Sequence, residues 1–114
     1  MIQVYHNPQC SKSRECLAIL DGSAQEYEVV KYLNQTPDEQ ELKTLIKKLG
    51  IKPIELVRTK EALWKEKFET RKMTNAQIIK AMVKHPILME RPIVINGDKA
   101  IIGRPVERIL DIIR

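Results

Sequence analysis

The sequence predicts an α/β protein with a mixed four-stranded sheet flanked by helices, and with a helical insertion between a β-α-β half and a β-β-α half. Three observations point there. Short apolar runs of strand character lie at the start of the chain, around Val4, and near its end, on both sides of Asn96-Gly97. Capping signals followed by apolar residues at helical spacing fill the middle. The connections then set strand direction, because strands joined through a helix run parallel and a hairpin is antiparallel.

The elements follow in order. Ile2 to Tyr5 is apolar and is broken at once by Asn7-Pro8, which makes it a first strand running into a loop. A helix is expected from Ser11, with Leu17 and Leu20 on one face. Asp21-Gly22 is its expected stop, glycine being at ease in the left-handed conformation that ends helices. Residues 26–32, with Tyr27, Val29 and Val30, suit a second strand. Thr36-Pro37-Asp38-Glu39 reads as an N-cap hydroxyl, a proline at the first helical position and an acid at the third. Leu42, Leu45, Ile46 and Leu49 continue that helix until Gly50. Residues 55–57 and 61–68 read as short helical pieces. Thr74 to Gln77 repeats the capping pattern, opening a helix with Ile78, Ile79, Met82 and Val83 inward and His85-Pro86 at its end. Asn96-Gly97 between Ile93-Val94-Ile95 and Ala100-Ile101-Ile102 is the strongest short hairpin signal. Pro105 opens a closing helix with Val106, Ile109, Leu110 and Ile113 inward. No repeat or linker divides the chain, so residues 1–114 read as one domain on the plan of the thioredoxin-like fold.

Composition bounds the function. The chain has 114 residues, 43% apolar and 31% charged, the profile of a soluble globular protein able to bury a single core. No apolar run is long enough to cross a bilayer, and the first residues lack the basic and apolar regions of a signal peptide. A cytoplasmic protein without a membrane partner is the expectation. The net charge is +5, but the lysines are scattered and interleaved with glutamates, as at Lys65 to Lys67. With one Phe and one Trp for stacking, a solvated surface explains that charge better than nucleic-acid binding. The two cysteines, Cys10 and Cys16, would be separated by about 240° around a helix, which does not favour a disulfide. There is no CxxC pair and no Cys/His zinc spacing, so no metal is expected.

Cys10 is the candidate nucleophile. It lies where a strand and loop deliver the chain to a helix N-terminus, and unpaired N–H groups and the helix dipole favour thiolate there. Ser11 and Ser13 supply hydroxyl donors, Arg14 a permanent cation, and His6 lies four residues before. Cys16, beside Leu17 and one turn ahead of Leu20, reads as a buried structural thiol. Arg58, Arg91 and Arg104 stand at irregular backbone, the last two beside Pro92 and Pro105. A guanidinium presents a planar fork of donors that matches a tetrahedral oxyanion.

The residues His6-Asn7-Pro8-Gln9-Cys10-Ser11-Lys12-Ser13-Arg14, Glu90-Arg91-Pro92-Ile93-Val94 and Gly103-Arg104-Pro105 together resemble the glutaredoxin-coupled arsenate reductase family of thioredoxin-like proteins. That resemblance implies a cysteine that attacks arsenate, glutathione as co-substrate resolving the adduct, and glutaredoxin returning the thiol. Carried over, Cys10 is the nucleophile, Arg58, Arg91 and Arg104 bind the anion, and His6 helps to lower the thiol pKa. Pro92 matches the cis-proline held opposite the thiol. No bound cofactor is implied, and a monomer is expected. Characterised members usually carry Gly-Thr after the cysteine, where this chain has Ser11-Lys12. The alternatives are a thiol oxidoreductase acting on another oxyanion or a mixed disulfide, and a non-enzymatic thioredoxin-like regulatory module. The oxidation-sensing regulators of that kind need a CxxC pair, and position 13 is Ser13. A phosphatase-type reductase needs C-x5-R, whereas Arg14 follows Cys10 by four positions.

Overall fold

The computed structural model describes residues 2–113, which form two compact units. The first joins the residues up to Gln35 with those from Arg91 onward, and the second is Thr36–Glu90. The first contains β1 (Ile2–Tyr5), α1 (Ser11–Gly22), β2 (Tyr27–Val30), β3 (Ile93–Asn96), β4 (Lys99–Ile102) and α5 (Leu110–Ile113), with a 3₁₀ turn at Val106–Ile109 running into α5. The second contains α2 (Glu39–Leu49), α3 (Ala62–Lys67) and α4 (Asn75–Lys84), with 3₁₀ turns at Pro53–Leu56 and Pro86–Leu88.

The strands form one four-stranded sheet in the order β2-β1-β3-β4. β1 is parallel to β2 and antiparallel to β3, and β3 is antiparallel to β4. This is the mixed sheet expected from the connections. Ile2, Val4 and Val94 face Cys16 and Leu20 of α1 and Val106, Ile109 and Ile113 of the closing helical stretch, in one buried cluster. Burying an aliphatic side chain of this size contributes about 1.5–3 kcal/mol. Tyr5, the neighbour of Val4, points to the opposite face, where it stacks on Tyr32 with ring centroids 6.1 Å apart.

Several boundaries differ from the sequence reading, each for a local reason. α1 includes Gly22 as an ordinary helical residue, and the left-handed residue beyond it is Ala24 (φ 62°). β2 stops at Val30, and Tyr32 lies in the following turn, fully buried. The N-cap of α2 is Asp38, which accepts the N–H of Glu41 while the Glu41 carboxylate accepts the N–H of Asp38. The side chain that closes the reciprocal pair three residues on is therefore Glu41, so the helix starts two residues later than a Thr36 cap would give. The Thr74–Gln77 box and the left-handed Gly50 (φ 68°) are as expected. Val83 is only half-buried, Ala81 taking its inward place, and Leu110 is 37% exposed at the turn from 3₁₀ to α geometry. In the hairpin Asn96 pairs with Lys99, so the two turn residues are Gly97 and Asp98, with Gly97 at φ 65°.

In the helical unit α2 and α4 bury Leu42, Leu45, Ile46, Ile78, Ile79 and Met82. An antiparallel bridge between Val57 and Met89 ties its middle to its C-terminal end. The Arg58 N–H donates to the Leu88 carbonyl at 2.7 Å and the Glu90 N–H to the Leu56 carbonyl at 2.8 Å.

Candidate active site

Strand register gathers three distant pieces of sequence at one edge of the sheet. Tyr5, the last residue of β1, pairs with Ile93, the first of β3, and Ile93 pairs with Ile102, the last of β4. The loop after β1, the segment before β3 and the segment after β4 therefore emerge together. They carry Cys10, Arg91-Pro92 and Gly103-Arg104 respectively. Both Arg91-Pro92 and Arg104-Pro105 are cis.

The loop is fixed by backbone bonds. The His6 N–H donates to the Val30 carbonyl at 2.9 Å, the Cys10 N–H to the Asn7 carbonyl at 3.0 Å, and the Gln9 N–H to the Asn7 side-chain oxygen at 3.0 Å. Cys10 is then the N-cap residue of α1, in extended conformation (φ −98°, ψ 122°) and 8% exposed. Its thiol sits over the free N–H groups of the first helical turn. Burial alone would push the thiol pKa up. The Ser13 N–H, the Arg91 guanidinium, the Lys12 N–H and the Ser13 hydroxyl outweigh it, and the pKa is lowered. Arg104 adds a donor, with Nη2 3.5 Å from the Cys10 sulfur.

Ser13 is fully buried, and its Oγ accepts the Asn7 N–H at 3.3 Å, which leaves the hydroxyl hydrogen to face the sulfur. Arg104 is oriented by donating from Nε to the Arg91 carbonyl at 2.8 Å. The Gly103 N–H donates to the Pro92 carbonyl at 2.8 Å, and a Cβ at Gly103 would lie 3.0 Å from Pro92 Cγ and 3.1 Å from Ile109 Cγ2. Any larger residue there would push Pro92 or Ile109 back by a few tenths of an ångström. Arg91 holds Nε and Nη1 buried with no protein acceptor. Such donors carry an unmet cost that an oxyanion would remove.

The other expected residues have different surroundings. Ser11 is exposed at the first position of α1. Arg14 is exposed and donates from Nη1 to the Pro8 carbonyl at 2.8 Å, so it braces the loop. His6 is 7% exposed, and burial, followed by the charge of Lys31 and, more weakly, that of Arg14, lowers its pKa against an opposing hydrogen bond to the Ser13 backbone. That shift favours the neutral form of its imidazole. Arg58 belongs to the helical unit, where Nη1 lies 3.2 Å from Glu61 Oε2 and Nε 3.5 Å from Glu90 Oε1. Cys16 is fully buried, and burial pushes its thiol up to about 12. Tyr32 and Asn7 were not singled out by the sequence for this site. Burial raises the Tyr32 pKa against the pull of Arg91 and Asn7, and Cys10 also acts on it. No spacing signal marks a tyrosine that lies in a turn just past its strand.

Fold and site together define a thioredoxin-like sheet with a cysteine of lowered pKa at a helix start and two arginines in the segments beside neighbouring strands. The ArsC family profile matches residues 5–112. An arsenate reductase of Haemophilus influenzae is 45% identical over 112 residues, spanning 96% of this chain and 97% of that protein. An arsenate reductase of Neisseria meningitidis serogroup A is 43% identical, spanning 95% and 94%. The solved structure of an arsenate reductase from Vibrio cholerae gives a TM-score of 0.93 at 41% identity, over 98% of this chain and 97% of that one. The chain belongs to the ArsC family.

Proposed function

We propose that this chain is an arsenate reductase in which the Cys10 thiolate attacks arsenate, glutathione resolves the adduct and glutaredoxin returns the thiol. One observation carries the reading: the lowered Cys10 thiol lies 3.5 Å from Arg104 and beside Arg91, whose buried Nε and Nη1 have no protein acceptor. The names of the relatives support arsenate as the substrate.

Arsenate near neutral pH is a doubly charged tetrahedron, so an approaching thiolate meets repulsion. Arg91, Arg104 and the N–H groups of Lys12 and Ser13 offset that charge as the sulfur–arsenic bond forms and an arsenate oxygen leaves as water. Removing one donor of this kind typically costs about 2.7–4 kcal/mol of transition-state stabilisation. In the overall balance one arsenate and two thiols give arsenite, one disulfide and water, and arsenic(V) takes the two electrons the sulfurs lose. Glutathione is a co-substrate here, with no bound cofactor, and the chain works as a cytoplasmic monomer. The resemblance assigns Arg58 to the anion as well. In the helical unit it is paired with Glu61 and Glu90, so a role for it requires exchanging those carboxylates for substrate.

The test is NADPH oxidation coupled to glutathione and glutaredoxin in the presence of arsenate. Turnover by the wild type and none by Cys10→Ser is the expected result. No wild-type turnover, with Cys10 still alkylated rapidly, would move the reading to another oxyanion or a mixed disulfide.

A further inference from the structure

We propose that the helical unit has a binding site of its own, for an organic phosphate of nucleotide size, in a cavity between the end of α3 and the flank of α4. The cavity has a volume of about 380 Å³, within the range of small-molecule sites. Lys67, Arg71, Lys80 and Lys84 line it, and no Asp or Glu does. Among the described residues none of these four cations has a carboxylate within 4.0 Å. Lys80 and Lys84 are four apart on one face of α4, where like charges repel unless an anion lies between them. His85, the C-cap of α4, also lines the cavity, and its pKa is lowered by burial and then by the charges of Lys67 and Lys84. All four cations are exposed, and they share this one groove without a paired carboxylate.

The apolar part of the wall is equally defined. Phe68 is held against Trp64 at 5.4 Å and His85 at 6.1 Å between ring centroids, with the Arg71 guanidinium 5.7 Å from its own centroid. A bare inorganic oxyanion would meet the lysines but leave the Phe68 wall and most of the volume unused. A ligand with adjacent phosphates and a flat apolar body matches both. Of the interleaved lysines that read as solvated surface in the sequence, Lys67 lines this cavity, where Arg71, Lys80 and Lys84 join it.

The probes are ADP and inorganic pyrophosphate, added to the full chain at near-physiological salt. Binding is followed by calorimetry and by the His85 ring-proton resonance, assigned with His85→Gln. The expected result is saturable ADP binding that moves the His85 signal, with pyrophosphate weaker by roughly tenfold or more. The Lys80→Ala, Lys84→Ala double variant should weaken ADP by a similar factor and leave the Cys10 alkylation rate unchanged. No saturable ADP binding, pyrophosphate binding as tight as ADP, or an unweakened double variant would each overturn the proposal.

Discussion

Replacing Ser13 with alanine isolates one of the contacts that lower the Cys10 pKa. The Ser13 hydroxyl is fully buried, accepts the Asn7 N–H at 3.3 Å and lowers the Cys10 pKa by hydrogen bonding to the sulfur. A hydrogen bond to a charged group contributes about 1.5–3 kcal/mol. The hydroxyl is the weakest of the four contacts that lower this pKa, so the lower figure applies. Since about 1.4 kcal/mol is a factor of ten, the thiolate fraction should fall roughly tenfold wherever the protonated thiol dominates. Iodoacetamide alkylation as a function of pH reads this directly. The Ser13→Ala profile should move to higher pH and reach the same plateau. The same change strands the Asn7 N–H, at a cost of about 1–3 kcal/mol in urea unfolding. An unmoved alkylation profile alongside that stability loss would refute the electrostatic role and leave Ser13 as scaffold alone.

Three further outcomes are expected. Gly103→Ala forces a Cβ to 3.0 Å from Pro92 Cγ, so it should cost about 1–3 kcal/mol in urea unfolding and slow Cys10 alkylation by displacing Arg104. Cys16, fully buried and with its thiol pushed up to about 12, should stay unmodified in a native thiol titration at neutral pH and react only after denaturation. For His6 the native pKa is lowered by burial and by Lys31 and Arg14, so on acidification the unfolded chain takes up its proton first. Stability is then full above about pH 6.5 and falls as the pH drops toward the native value. His6→Asn should flatten the decline seen in thermal melts between about pH 7 and pH 5, leaving the part that His85, lowered in the same direction, contributes.

Much of this architecture was legible because it rests on local chemistry. The Thr74–Gln77 box, the glycine after α2 and the Gly97 turn state their conformations in a few residues, and the direction of each strand pair follows from what connects it. At Thr36 two capping side chains compete and Asp38 wins, while past Gly22 the left-handed position falls to Ala24. Cys10 was visible for the same local reason, since a helix start activates whatever occupies its cap. The convergence of Arg91 and Arg104 on it was not, because it depends on Tyr5, Ile93 and Ile102 falling in register. Spacing carries no trace of that. Equally hidden was the pairing of Arg58 with Glu61 and Glu90, and the lowered pKa of His6, which comes first from its burial.

The central claim is that this corner of the sheet lowers the Cys10 thiol pKa. Its most direct test is the ultraviolet thiolate absorbance of the native protein against pH, with Cys10→Ser subtracted. The expected curve titrates below the ordinary thiol value of about 8.5, and Arg104→Ala and Ser13→Ala each move it upward. A wild-type curve centred at or above that ordinary value would contradict the claim.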